Sequence, residues 1–100
     1  MLFFWLCRSL FGLFTEHGPF FVDSKSYLRF RSNPWSLTHS VLYIDNPVGC
    51  GFSFTEDENG FARNERDVSR DLYNALTQFF TMFPRIQSRD FYVAGQSYGG

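Results

Sequence analysis

The chain has 100 residues, of which 44% are hydrophobic and 21% aromatic, and its formal net charge at pH 7 is −1. A near-neutral chain gives no electrostatic reason to expect nucleic acid or an anionic membrane as a partner. A domain of this length buries only about two-thirds of the surface that its unfolded form exposes, so the heavy aromatic content predicts a partial core that needs more protein around it.

The first strand is predicted at Leu2–Leu6, a continuous apolar run typical of a strand buried on both faces. Arg8 interrupts the apolar stretch, which is also too short to span a bilayer. No basic residue precedes it, and no small-residue cleavage site of a secretory signal follows it. We interpret the stretch as a buried strand followed by a turn or a short helix, with a cleaved signal as the alternative.

A small β meander and a further strand are predicted next. The chain breaks at Glu16–Pro19, and the polar stretch Asp-Ser-Lys-Ser after it fits a hairpin turn. Asn33 is disfavoured in the helical region because Pro34 follows it, so a loop is expected there. Pro47 and two nearby glycines indicate another turn. The strands predicted in this part are Phe20–Val22, Tyr27–Phe30 and Val41–Ile44.

One long helix is predicted between Asn64 and Pro84. Asn64 can cap its start, and Glu65 and Asp67 lie in the first turn, where the helix dipole favours anions. Apolar residues recur at three- and four-residue steps and form one face. They are Val68, Leu72, Ala75, Leu76, Phe79 and Phe83. Pro84 is predicted to end the helix, and the residues after it to link it to a last strand at Phe91–Ala94.

The order of elements predicts an α/β fold with a mixed or parallel sheet and one crossover helix. A strand, a long helix and a second strand in succession imply a parallel pair of strands joined by a right-handed crossover. We expect apolar surface on Phe79, Phe80, Phe83 and the faces of the strands to remain exposed. Cys7 and Cys50 allow either one disulfide or two free thiols. The spacing of His and Cys indicates no metal site.

The chain ends with Gly-Gln-Ser-Tyr-Gly-Gly directly after the last predicted strand. This matches the Gly-x-Ser-x-Gly pattern of a nucleophile elbow, a tight turn between a strand and a helix that lifts the serine hydroxyl above the sheet. Gly95 and Gly99 leave room for the turn, and the backbone N–H of Tyr98 would face a developing oxyanion. The alternative is a glycine-rich turn in which Ser97 is merely solvated.

Five separated segments carry a resemblance to a known family: FGLFTEHGPF, NPWS, LYIDNPVGCGFSF, DLYNALTQFF and FYVAGQSYGG. In this order they resemble the serine carboxypeptidases, a family with the α/β-hydrolase fold, and most of all its vitellogenic-like branch. The resemblance covers nearly the whole chain from Ser9 onward. It implies that residues 1–100 are the incomplete, N-terminal part of one such domain, truncated just after the elbow.

The resemblance implies a serine-type carboxypeptidase that releases C-terminal residues from peptides through an acyl-enzyme on Ser97. The partner would be the C-terminus of a peptide, and no cofactor is expected. The substrate carboxylate would be held by Glu16 and by Gln96, which stands where the family has Glu. A Glu must be protonated to donate a hydrogen bond to a carboxylate, whereas the Gln amide donates at any pH. A lysosomal, vacuolar or secreted location is implied in the same way.

Besides Gln96, the chain departs from the family pattern in two further places. The Gly-rich stretch that follows Trp5 and Leu6, and that supplies an oxyanion donor in the family, is shortened. The catalytic acid and histidine follow the serine in α/β-hydrolases, whereas His17 and His39 precede it. We therefore expect residues 1–100 to be inactive by themselves. A carboxypeptidase-like acyltransferase and a non-catalytic remnant that binds a partner are the alternatives.

Overall fold

The computed structural model describes residues 2–6 and 9–95, with side chains from residue 10 onward. Its strands are β1 (Leu2–Leu6), β2 (Phe20–Val22), β3 (Leu28–Phe30), β4 (Ser40–Ile44) and β5 (Phe91–Ala94). Its helices are α1 (Ser9–Phe11), which continues into a wide helical turn at Gly12–Glu16, then α2 (Glu65–Met82) and α3 (Pro84–Gln87). Two 3₁₀ turns lie at Trp35–Leu37 and Glu58–Gly60. The five predicted strands and the long helix are confirmed; three strands have the predicted bounds, and the other two differ by one residue.

The main sheet has three parallel strands in the order β4-β1-β5. Leu6 lies beside Ile44, and Trp5 lies beside Ala94. The prediction that the strands on either side of the long helix form a pair is wrong, because β1 lies between them. A strand in the centre of a parallel sheet is covered on both faces and has a neighbour on both edges, and the uninterrupted apolar run of β1 suits that place.

The small second sheet is the hairpin of β2 and β3, in which Phe20 pairs with Phe30 and Val22 with Leu28. Its turn is organised by Asp23. One carboxylate oxygen of Asp23 accepts hydrogen bonds from the backbone N–H groups of Lys25 and Tyr27, each at 2.9 Å, and the other accepts from Nε of Arg29 at 3.0 Å. The Tyr27 bond, followed by the Arg29 bond, lowers the pKa of Asp23. Such Asx turns explain why Asp is common in hairpin loops.

Helix α2 begins as predicted, because Oδ1 of Asn64 accepts a hydrogen bond from the backbone N–H of Asp67 at 3.0 Å. The helix ends at Met82, before Pro84. The prediction of a simple link after Pro84 is wrong, because Pro84 is an early residue of the short helix α3. Proline suits the first helical position because the N–H that it lacks would have no partner inside the helix.

The chain leaves much apolar surface open. It exposes 7424 Å², whereas a compact monomer of 11.7 kDa exposes about 5,900 Å². Its radius of gyration is 14.7 Å, against about 13 Å for a compact domain of this length. The prediction of exposed apolar surface holds for Phe83 and for Phe91, Tyr92 and Val93 of β5. On the helix, Phe79 and Phe80 are half-buried. The most exposed aromatic side chains lie elsewhere, at Phe30, Phe52 and Phe54.

Within the described residues, no helix is both long and apolar enough to cross a membrane. The same residues contain no cluster of three or more His, Cys, Asp or Glu side chains that could hold a metal ion.

Candidate active site

The carboxyl ends of the three parallel strands meet at one edge of the main sheet, where β1 ends at Leu6, β4 at Ile44 and β5 at Ala94. In open α/β sheets, ligands bind outside this edge. Gly95 follows β5 directly and is exposed. The other predicted elbow residues, Gln96, Ser97, Tyr98 and Gly99, lie outside the described residues. The structure therefore describes β5, which leads to the predicted nucleophile, and one residue after that strand, Gly95.

Glu16, predicted to bind a substrate carboxylate, is the last residue of the helical turn Gly12–Glu16. Its side chain is 29% exposed, and its Oε2 lies 4.0 Å from Nε2 of His17. The turn closes because the backbone N–H groups of His17 and Gly18 both donate to the carbonyl of Gly12, at 3.1 and 3.4 Å. Glu16 is thus held at the end of a closed turn, partly open to solvent.

Only glycine fits at position 18. A Cβ on Gly18 would lie 2.0 Å from the backbone carbonyl oxygen of Leu13, and Gly18 is buried. Backbone at that distance cannot move aside as a flexible side chain would, so any larger residue would force the turn open. The break predicted at Glu16–Pro19 is therefore a tightly packed turn.

His17 lies in a group of side chains that sequence reasoning missed. We call Glu16, His17, Arg31, Trp35 and Tyr43 the His17 cluster. The imidazole of His17 stacks on the indole of Trp35, with ring centroids 4.3 Å apart, and lies nearly parallel to the ring of Tyr43 at 5.7 Å. Its Nδ1 is 3.1 Å from the hydroxyl of Tyr43. The carbonyl of His17 also accepts a hydrogen bond from the backbone N–H of Trp35 at 3.0 Å.

Arg31 joins the cluster from the segment after β3. Its guanidinium donates to the carbonyl of Gly18 at 3.0 Å and to that of Phe14 at 3.3 Å. Burial lowers the pKa of His17, and the charge of Arg31 acts in the same direction, while Glu16 opposes both. Burial also raises the pKa of the Tyr43 phenol. The hydrogen bond between His17 and Tyr43 therefore joins two neutral groups at neutral pH.

The loop after β4 is organised by Asp45. The carboxylate oxygen Oδ2 of Asp45 accepts a hydrogen bond from the backbone N–H of Phe52 at 3.0 Å, and the carbonyl of Asp45 accepts one from the hydroxyl of Ser53. Gly51, at φ +57°, lies so close that a Cβ there would collide with the Asp45 carboxylate. Cys50, in the same loop, is a half-buried free thiol. This loop adds a second closed turn at the carboxyl edge of the sheet.

A family model described as serine carboxypeptidase matches residues 3–100 of the chain. The chain belongs to the serine carboxypeptidase family. The family predicted from the five sequence segments is thereby confirmed.

Individual relatives agree. Over 92 residues, the chain is 62% identical to the human protein named "Probable serine carboxypeptidase CPVL" and 58% identical to the "Venom serine carboxypeptidase" of Apis mellifera. It is 45% identical to the "Vitellogenic carboxypeptidase" of Aedes aegypti over the same length. Each match covers 92% of this chain but only 19 or 20% of the relative. The chain therefore spans about a fifth of the length of these relatives.

The fold agrees as well. The crystal structure of Kex1(delta)p, described as a prohormone-processing carboxypeptidase from Saccharomyces cerevisiae, superposes with a TM-score of 0.88 at 32% sequence identity. The match covers 97% of this chain and 23% of that protein. The predicted fold class, a partial α/β-hydrolase fold, is confirmed.

Proposed function

We propose that this chain forms the nucleophile-bearing part of a serine-type carboxypeptidase. The observation that carries the proposal is the match of residues 3–100 to the serine carboxypeptidase family, together with the parallel strand β5 that ends just before Gly95. A parallel strand followed by Gly-x-Ser-x-Gly is the context in which this motif marks a nucleophile. The substrate would be the C-terminal residue of a peptide.

In the proposed reaction, Oγ of Ser97 attacks the carbonyl carbon of the last peptide bond while its proton passes to a general base. The C–N bond then breaks, the C-terminal amino acid leaves with the proton on its nitrogen, and an ester on Ser97 remains. Water hydrolyses that ester. The backbone N–H of Tyr98 would stabilise the oxyanion in both steps, and Gly95 and Gly99 would permit the tight turn that aims it.

The proposed specificity for a C-terminal residue depends on donors to the substrate carboxylate. Glu16 lies at the end of a closed turn and is partly exposed, which suits a side chain that meets a substrate. Gln96 would donate an amide hydrogen bond at any pH, whereas Glu16 would donate only when protonated. We assign both residues to the carboxylate site.

We further propose that residues 1–100 are one incomplete domain. In the α/β-hydrolase fold the catalytic acid and histidine follow the serine. Of residues 1–100, only Tyr98, Gly99 and Gly100 follow Ser97, so these residues include neither group. The names of the relatives favour peptidase activity over acyl transfer. Of the two locations that the resemblance implies, lysosomal or vacuolar and secreted, the word "Venom" in the bee relative's name supports the secreted one.

The test is a chimera in which residues 9–100 replace the matching segment of the human relative, so that the Gly-rich stretch, acid and histidine come from that protein. We expect the chimera to release the C-terminal residue of a blocked dipeptide, and Ser97→Ala to lower kcat at least about 10⁴-fold. Ser53→Ala, at a hydroxyl bonded within the Asp45 loop, is the matched control and should retain turnover. Turnover that survives Ser97→Ala would refute the proposal.

The isolated 100-residue chain should release no C-terminal residue from the same dipeptide at pH 5 or pH 7. A serine without a base has an ordinary hydroxyl and is a poor nucleophile. Turnover by this chain that Ser97→Ala abolishes would show that a base is available within residues 1–100, and the expectation of an inactive chain would be wrong.

A further inference from the structure

We propose that His17 is a positioning residue for Glu16, holding its carboxyl group where a substrate carboxylate can reach it. The proposal deepens the proposed function and rests on it, because it takes Glu16 to be part of the carboxylate site. It assigns to the His17 cluster a role in binding the substrate C-terminus.

The first argument is that the ring of His17 is held on several sides. Trp35 covers it at 4.3 Å with an interplanar angle of 19°, and Tyr43 lies nearly parallel at 5.7 Å and 14°. The Tyr43 hydroxyl, 3.1 Å from Nδ1, fixes the rotation of the ring. An imidazole held in this way has few rotamers left, so its Nε2 stays 4.0 Å from Oε2 of Glu16, a packing contact longer than a hydrogen bond.

The second argument is that the backbone on both sides of His17 is fixed as well. The carbonyl of His17 accepts from the backbone N–H of Trp35, and the carbonyl of Gly18 accepts from Arg31. Gly18 packs against the backbone of Leu13 so closely that no Cβ fits. Since Glu16 directly precedes this fixed segment, the direction in which its side chain leaves the backbone is fixed too. A displacement of about 1 Å at such a position is enough to impair binding and catalysis.

The third argument concerns charge. The titratable and charged groups that face His17 are Glu16 on its own segment, Arg31 from the chain after β3, and Tyr43 from β4. Burial and Arg31 both favour the neutral imidazole. A cationic imidazole would draw the Glu16 carboxylate into an ion pair and away from a substrate. A neutral imidazole forms no such ion pair, and at 4.0 Å it limits the positions of the Glu16 carboxyl group by packing.

The experiment uses the chimera of residues 9–100 and two substrates, a blocked dipeptide with a free C-terminal carboxylate and the same dipeptide with a C-terminal amide. We expect His17→Ala to raise KM for the carboxylate substrate about tenfold with little change in kcat, and to change KM for the amide by less than about twofold. His17→Gln, which keeps a flat polar group, should recover most of the lost affinity. His39→Ala, outside the cluster, is the matched control and should change KM for neither substrate.

Equal effects of His17→Ala on the two substrates, or no effect on either, would overturn the proposal. If circular dichroism shows that the His17→Ala chimera is not folded, Tyr43→Phe replaces it, with an expected rise of about threefold in KM for the carboxylate substrate only. Equal effects of Tyr43→Phe would likewise overturn it. These outcomes leave the proposed function standing as long as turnover depends on Ser97. Loss of that dependence in the parent chimera would overturn both.

Discussion

The His17 cluster and helix α2 differ in what holds them in place. In the cluster, Trp35 and Tyr43 reach the imidazole or the backbone of His17 from distant parts of the chain. Arg31, from a further part, donates to the carbonyl of the next residue, Gly18. Helix α2 has 18 residues and a good N-cap, yet none of its residues is buried. Its aromatic side chains Phe79 and Phe80 pack on each other, and they also meet Phe83 and Phe91, at the end of the helix and the start of β5.

The cluster is stabilised by contacts between residues distant in the chain, whereas the helix is stabilised mainly by local interactions. The cluster depends on close approach of distant residues, so a single added atom can disrupt it. The helix depends on its cap, its intrinsic propensity and a half-covered apolar face, and in most proteins packing of that face supplies most helix stability. Substitutions should therefore cost much in the cluster and less in the helix.

The largest effect is expected for Gly18→Ala. The new Cβ would lie 2.0 Å from the carbonyl oxygen of Leu13 and would force the turn that precedes His17 to open. We expect a loss of about 3 kcal/mol in the free energy of unfolding. Urea unfolding can be followed by the fluorescence of Trp35, which stacks on His17, in a Trp5→Phe background. Ser36→Ala, at an exposed neighbour of Trp35, is the control. A midpoint for Gly18→Ala equal to that of the control would contradict the packing argument.

A smaller effect is expected for Leu76→Ala on α2. A fully buried Leu→Ala change costs about 2–5 kcal/mol, but Leu76 is only half-buried, so we expect about 1 kcal/mol. The exposed apolar surface should also make the 100-residue chain bind a hydrophobic dye. The unfolding midpoint and dye fluorescence of parent and variant test both points. A cost close to that of Gly18→Ala, or a chain that binds no dye, would mean that the helix is better covered than it is in the structure.

The contrast between the two regions also explains which features the sequence predicts. The strands, the cap at Asn64 and the end of α2 before Pro84 follow from residues close in the chain, and each is found. The position of β1 between β4 and β5 is not predicted, because strand order depends on pairing between distant segments. The short helix that begins at Pro84 is not predicted, because proline both ends helices and starts them, and the local pattern indicates only the first role.

The candidate site divides in the same way. The pattern Gly-Gln-Ser-Tyr-Gly after β5 is local, and so the sequence predicts Ser97 as a nucleophile without any structure. The His17 cluster is not local: Tyr43 reaches His17 from β4, 26 residues along the chain. No spacing rule links a histidine in a turn to a tyrosine on a later strand. The sequence therefore predicts a nucleophile, while the contacts of the His17 cluster around Glu16 are found only in the structure.

The helix start offers a test of purely local stabilisation. Asn64→Ala removes the hydrogen bond from the backbone N–H of Asp67 to the Asn64 side chain. Loss of an N-cap typically lowers the free energy of unfolding by about 1 kcal/mol. Asn74→Ala, on an exposed position inside α2, should be neutral or slightly stabilising because alanine is the better helix former. Helix content by circular dichroism in urea compares the two. Equal effects of the two substitutions would show that the cap contributes nothing to the stability of α2.

The smallest effect on the free energy of unfolding is expected from a change of pH, through the titration of His17 in the cluster. The pKa of His17 is lowered in the folded chain, chiefly by burial and also by Arg31, below its ordinary value of 6.5. In the window between the folded pKa and 6.5, the unfolded chain binds more protons than the folded one. The contribution of His17 to stability is therefore complete above about pH 6.5 and is lost as pH falls through the folded pKa.

His17→Gln carries no titrating group and should lose less stability between pH 7.5 and pH 5 than the parent does. Urea midpoints of both proteins across this range decide it. Parallel curves would mean that the imidazole titrates alike in the folded and unfolded chains, and that the cluster does not keep it neutral.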